Sequence, residues 1–170
     1  MSFGKVNKDA NQQVAMRFFV SKGWTPMQSA AIIGNLTAES YMNPRTPRGD
    51  DGTAMGLAQW RLDRLSQFVK IIGKHCEVAS LEEQLRFVDW ELKTSHKKAG
   101  EYLRTAPSFE AAVHAVDKHY ERSAGKHLDR RIKFATEALI NYQKSTRPRQ
   151  PLTLFNNKPT FWERVKALFT

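Results

Sequence analysis

The sequence predicts a mainly α-helical fold, and three observations carry that prediction. Apolar residues recur at three- and four-residue spacing in seven or eight separate stretches. Helix-start signatures stand at Thr25-Pro26-Met27-Gln28, Ser80-Leu81-Glu82-Glu83 and Thr160-Phe161-Trp162-Glu163, each with a hydroxyl residue followed three positions later by Glu or Gln. No strand-length alternating run occurs outside the polar stretch 43–56, so any sheet is confined to a loop or small β-hairpin there.

Each element has its own local reason. A first helix is predicted over Asp9 to Lys22, with Val14, Met16, Phe18, Phe19 and Val20 as a broad apolar face and Gly23 suited to end it. The second starts at Thr25 as N-cap with Pro26 in the first turn and runs to Glu39 or Ser40. Asn43-Pro44 forbids further helix, because the residue before proline is driven to extended geometry. Helical spacing resumes over Arg61 to Ile72 and stops at Gly73. Ser80 opens a helix with Leu81, Leu85, Val88 and Leu92 inward, and further helices are predicted over Lys97 to Thr105, Phe109 to Arg122 and His127 to Lys144. The domain division follows: 1–144 as one folded unit, then 145–170 as a basic, proline-containing linker with a short terminal helix. There is no internal repeat.

Composition narrows the function classes. The 170 residues are long enough to bury a core of their own, and a mean hydropathy of −0.56 fits a soluble globular protein. No apolar run approaches the ~20 residues of a membrane span, and the N-terminal MSFGKVNKDANQQ lacks the apolar centre of a secretory signal, which predicts synthesis in a cytoplasm. Cys76 is the single cysteine, so no internal disulfide forms and a cysteine-based metal site is disfavoured. His114 and His119 are five apart, which misses the i, i+4 face of a helical metal pair; neither metal nor cofactor is expected. The net charge of +10 attracts polyanions. Nucleic acid is not the expected one. The basic clusters are only pairs (Lys97-Lys98, Arg130-Arg131), and the turn Gly23-Trp24-Thr25 resembles a helix-turn-helix only loosely.

One acid stands out. Glu39 lies seven residues after Ile32 and three after Leu36, hence near the apolar face of the second helix, and in its last turn. Burial and the negative end of the helix dipole both favour a protonated carboxyl, which a general acid at neutral pH needs. Ser40 is placed to hydrogen-bond that carboxyl or the helix end. A loop with Gly56, Gln59 and Trp60 follows. Acid chemistry on a sugar is the reading.

These residues resemble the lysozyme-like superfamily, which includes soluble lytic transglycosylases and goose-type lysozymes: an acid followed by Ser, then Asn-Pro, then a Gly-Leu-x-Gln turn. The longer pattern is similar to the phage tail lysozyme family. Its Ile-(Leu/Ile)-Gly-Asn-Leu-x-x-Glu-Ser run, Gly-Leu-x-Gln-Trp with a nearby Arg, Ser-Leu-x-x-Gln-Leu helix start and Tyr-Glu-Arg segment all occur here. They are Ile32 to Ser40, Gly56 to Trp60 with Arg61 and Arg64, Ser80 to Leu85, and Tyr120-Glu121-Arg122. The resemblance spans roughly residues 10 to 143 and implies a lysozyme-like domain that cleaves peptidoglycan.

In that reading Glu39 protonates the glycosidic oxygen between N-acetylmuramic acid and N-acetylglucosamine. Ser40, Asn43, Gly56, Gln59 and Glu121 belong to the substrate cleft, and Trp60 or Tyr120 stacks on a sugar ring. A hydrolase needs a second carboxylate, and Asp50 or Asp51 is best placed by chain order; Asp-Asp-Gly is also ordinary turn chemistry. Glu121 is an alternative, or pairs with Arg122 or Arg131. A lytic transglycosylase needs no second acid. The role implied is that of a bacteriophage endolysin, monomeric, waiting in the host cytoplasm for holin-type release to the wall; a virion-borne wall-digesting enzyme is the alternative. From Lys144 onward six basic residues face one acid. The terminal stretch sets Phe161, Trp162, Val165, Leu168 and Phe169 on one helical face with Arg164 and Lys166 elsewhere, a pattern suited to anionic outer-membrane or lipopolysaccharide surfaces.

Overall fold

The second helix is the axis on which the molecule is built. In the computed structural model, which describes residues 7–46, 52–123, 125 and 127–147, α2 (Pro26–Ser40) is buried without a break from Gln28 to Thr37. Such a helix has no solvent face. It is wrapped by α1 (Lys8–Ser21), α6 (Phe109–Val116) and α7 (Leu128–Thr146). Asn35 and Thr37 on it are bonded internally: Asn35 Nδ2 donates to the carbonyls of Ala31 and Val113 at 2.9 and 3.1 Å, and Thr37 Oγ1 donates to the Ile33 carbonyl while accepting from Gln12 Nε2.

Gly34 decides how closely α7 approaches. A Cβ there would lie 2.5 Å from Ala135 Cβ and 2.6 Å from the Arg131 carbonyl oxygen. Only glycine lets the two backbones come this near, and that approach brings Arg131 to the end of α2.

The remaining elements are α3 (Leu62–Ile72), a 3₁₀ turn over Cys76–Val78, α4 (Leu81–Lys93), α5 (Lys97–Arg104) and a π turn over Asp117–Glu121. Both internal capping boxes form: Thr25 Oγ1 accepts from Gln28 N and Gln28 Oε1 from Thr25 N, and Ser80 with Glu83 does the same at α4. Trp60, Phe68 and Phe87 meet with ring centroids 4.9–5.4 Å apart and form the aromatic half of the core.

The structure refines four local features of the sequence expectation, two of them (the end of the second helix and the loop after it) as detail within what was expected. The second helix stops because Tyr41 and Met42 turn left-handed (φ 56° for both), ahead of Pro44. The predicted helix over Phe109 to Arg122 is α only to Val116; the wider π turn then carries Asp117 to Arg131, Tyr120 to Glu91 and Glu121 to the cleft before left-handed Arg122 ends it. The last described helix runs through Ser145 and Thr146, beyond the predicted boundary at Lys144. Between α2 and α3 there is no strand among the described residues. A single antiparallel bridge, Met55 to Trp60, closes the turn Gly56–Gln59. Asp50, Asp51, Phe161, Trp162, Arg164, Val165, Lys166, Leu168 and Phe169 lie outside the described residues.

Candidate functional site

Glu39 opens onto a cleft of about 290 Å³, lined also by Ala58, Gln59, Arg61, Arg64, Glu121 and Arg122. Depressions of about 330 and 320 Å³ lie elsewhere, by Met55 to Glu77 and by Tyr102 to His119. Neither brings two carboxylates together, and the smaller cleft does. Chemistry rather than volume selects it.

The Glu39 side chain is 25 % exposed, and its Oε1 accepts a 2.6 Å ion-paired hydrogen bond from Arg131 Nη2. Among the described residues its other oxygen has no hydrogen-bond partner. Arg131 is 7 % exposed and divides its guanidinium three ways: to Glu39, to Asp117 Oδ1 at 2.9 Å from Nε, and to Asn35 Oδ1 at 3.2 Å. Asp117 in turn accepts from Ser123 Oγ. One arginine thus ties the end of α2 to the π turn.

Glu121 stands on that π turn. Its Oε1 is sealed from solvent and has no hydrogen-bond partner. Burial first, and then the negative charge of Glu39, push its carboxyl up to about 8, although Arg64 and Arg131 pull the other way. A carboxyl in that range carries its proton at neutral pH.

Behind the cleft lies a second acid cluster. Glu91 of α4 is fully buried and receives Trp60 Nε1 (2.9 Å), Tyr120 Oη (2.6 Å) and both Arg64 Nε and Nη2 (2.8 and 3.0 Å). Arg64 also lies 4.7 Å from the Tyr120 ring centre. His96 Nδ1 is 3.7 Å from Glu91, but burial lowers the pKa of the imidazole, which favours its neutral form.

This geometry sorts the sequence candidates. Glu39, Gln59 and Glu121 share the cleft. Trp60 and Tyr120 are wholly buried and committed to Glu91, so neither ring offers a face to a sugar; the stacking expectation is corrected. Ser40 Oγ donates to the Leu36 carbonyl, which is the helix-end alternative, and not to the Glu39 carboxyl. Asn43 caps its own turn, accepting from Arg45 N at 2.9 Å, and is not in the cleft wall. Gly56 serves the fold: its φ is +75°, and a Cβ would lie 2.4 Å from Cys76 Sγ. Glu121 pairs with neither Arg122 nor Arg131, since Arg131 is taken by Glu39 and Asp117.

Arg131, Asp117 and Glu91 were missed as site residues. The signal was a charge at a core register: Arg131 falls in the row Leu128, Arg131, Ala135, Ala138, and Glu91 follows Leu85 and Val88 at three-residue spacing. Among the described residues no group of three His, Cys, Asp or Glu side chains is arranged to hold a metal ion, and no helix is long and apolar enough to cross a membrane.

A family model described as phage tail lysozyme matches residues 10–142. No curated protein and no solved structure matches the chain. The family match covers most of the 170 residues, and the chain belongs to the phage tail lysozyme family. Membership supports a peptidoglycan-lytic, lysozyme-like function.

Proposed function

We propose that this member of the phage tail lysozyme family is a peptidoglycan glycosidase that cleaves between N-acetylmuramic acid and N-acetylglucosamine, with Glu39 as the general acid. The observation that carries the reading is the position of Glu39: one oxygen held by Arg131, in a side chain that lines a cleft shared with the carboxyl of Glu121. A general acid must be fixed at one oxygen and presented at the other. The side-chain amide of Gln59, held to the Gly56 carbonyl at 3.1 Å, supports a role in seating the sugar amides. Loss of the C1–O bond then leaves an oxocarbenium-like centre, which water captures in a hydrolase and the sugar's own hydroxyl captures in a transglycosylase.

A zymogram tests the assignment: the wild type clears a peptidoglycan gel and Glu39→Gln does not. Clearing by the variant defeats it. Mass spectra of the products separate the two fates of the sugar, reducing ends for hydrolysis and anhydro ends for transglycosylation.

The proposed setting is the cell wall of a phage host, reached from the host cytoplasm by an endolysin, with virion-borne entry as the alternative. The basic, aromatic-rich sequence beyond residue 147 supports contact with anionic envelope surfaces. Removing residues 148–170 is then expected to abolish killing from outside while sparing hydrolysis of purified wall. Equal loss of both would refute that role.

A further inference from the structure

We propose that Glu121 is a positioning residue for the reaction, sharing one proton with Glu39 across the cleft and thereby setting the pH range in which Glu39 can act. The proposal rests on the Glu39 reading given above and extends it to a residue on a separate element. Its basis is geometric. Two carboxyls from α2 and the π turn line one cleft, and their surroundings are unequal. Glu39 has a guanidinium at 2.6 Å, whereas Glu121 Oε1 is buried with no donor at all. An unpartnered buried oxygen disfavours the charged form, and a second negative charge nearby disfavours it further.

The groups that act on Glu121 come from every side. Glu39 lies on α2, Arg64 on α3, Glu91 on α4 and Arg131 on α7, with Arg61 and Arg122 also in the cleft wall. Arg64 and Arg131, the two that pull the carboxyl down, do not cancel the repulsion, because Arg64 is spent on Glu91 and Arg131 on Glu39 and Asp117. The carboxyl is accordingly raised to about 8. The pair therefore retains one proton through neutrality. With that proton on Glu121, Glu39 stands as a carboxylate against Arg131; with it on Glu39, the negative charge resides on Glu121. When Glu39 gives its proton to the leaving glycosidic oxygen, the C1–O bond breaks. The proton lost is replaced by the one released when water or a sugar hydroxyl attacks C1, so the pair ends the cycle with one proton.

The test is the pH–rate profile on purified, soluble peptidoglycan fragments for wild type, Glu121→Gln and Glu39→Gln. Glutamine keeps the shape of Glu121 and removes its proton exchange. The alkaline limb of Glu121→Gln is expected to move at least one unit to lower pH, a loss of roughly tenfold or more at neutrality. A limb that stays in place, whether activity is unchanged or uniformly reduced, overturns the proposal and leaves Glu39 as the acid. Activity in Glu39→Gln overturns the reading beneath it instead. Should Glu121→Gln fail to fold, carboxyl ¹³C titration of the wild type decides: two linked inflections support the shared proton, and independent single inflections refute it.

Discussion

Two glutamates, the fully buried Glu91 and the half-buried Glu121, stand in contrasting environments on either side of Arg64. Glu91 is fully enclosed and receives four hydrogen bonds, from Trp60, Tyr120 and twice from Arg64. Glu121 is lodged at the cleft with Oε1 unpartnered. Both have a carboxyl oxygen sealed from solvent; only Glu91 has it satisfied. The charge on Glu91 is matched by the Arg64 guanidinium and does structural work, tying α3, α4 and the π turn together. Glu121 lacks such matching and keeps a proton available. An acid that a protein buries without donors is a place where stability has been given up for chemistry.

That contrast can be broken at several points. The largest effect belongs to Glu39→Gln, which removes the proposed proton donor and is expected to lower wall cleavage by roughly 10²-fold or more, read as release of soluble fragments. Next is Glu91→Gln. It leaves the half-buried Arg64 charge without its buried partner, and the urea midpoint is expected to fall by about 3 kcal/mol equivalent at constant m. Survival of full stability would show that Glu91 is not the structural member of the two.

Glu121→Gln is expected to act in the opposite sense on stability. In the folded chain its carboxyl sits at about 8, against 4.5 for an ordinary glutamate. The folded state thus holds the proton more tightly, so this contribution is complete below 4.5 and is lost as pH rises through 8. Glutamine has no such loss. The Tm of the variant relative to wild type is therefore expected to climb across that window, by several degrees in all, roughly. The smallest effect is that of Trp60→Phe, which deletes one hydrogen bond to Glu91 and is expected to cost ~1–2 kcal/mol. The KM for wall fragments should not change, because the indole is inside; a raised KM would restore a sugar-stacking role.

Much of the helical plan was legible in the chain. Thr25-Pro26 and Ser80 announce their helices through short-range bonds that three or four residues can specify alone. Glu39 was legible for the same reason, since its register against Ile32 and Leu36 and its place in the last turn are local facts. The π turn was not, because Phe109 to Arg122 keeps helical spacing throughout and only the contacts of Asp117 with Arg131 and of Tyr120 with Glu91 show where the turn widens. Nor was the fate of Trp60. An aromatic in a glycine turn reads equally as a sugar platform or as core, and its indole bond to Glu91 spans 31 residues.

The sequence by itself therefore determined a mainly helical chain, the family resemblance and the acid at the end of α2, because periodicity, capping and motif spacing act over a few residues. Only the tertiary structure decided that acid's company. Arg131 is 92 residues from Glu39 and reaches it because Gly34 lets α7 close onto α2. Glu121 faces the same cleft because the π turn puts it there. Electrostatic environment depends on distance in space and on the exclusion of water, and neither is written along the chain.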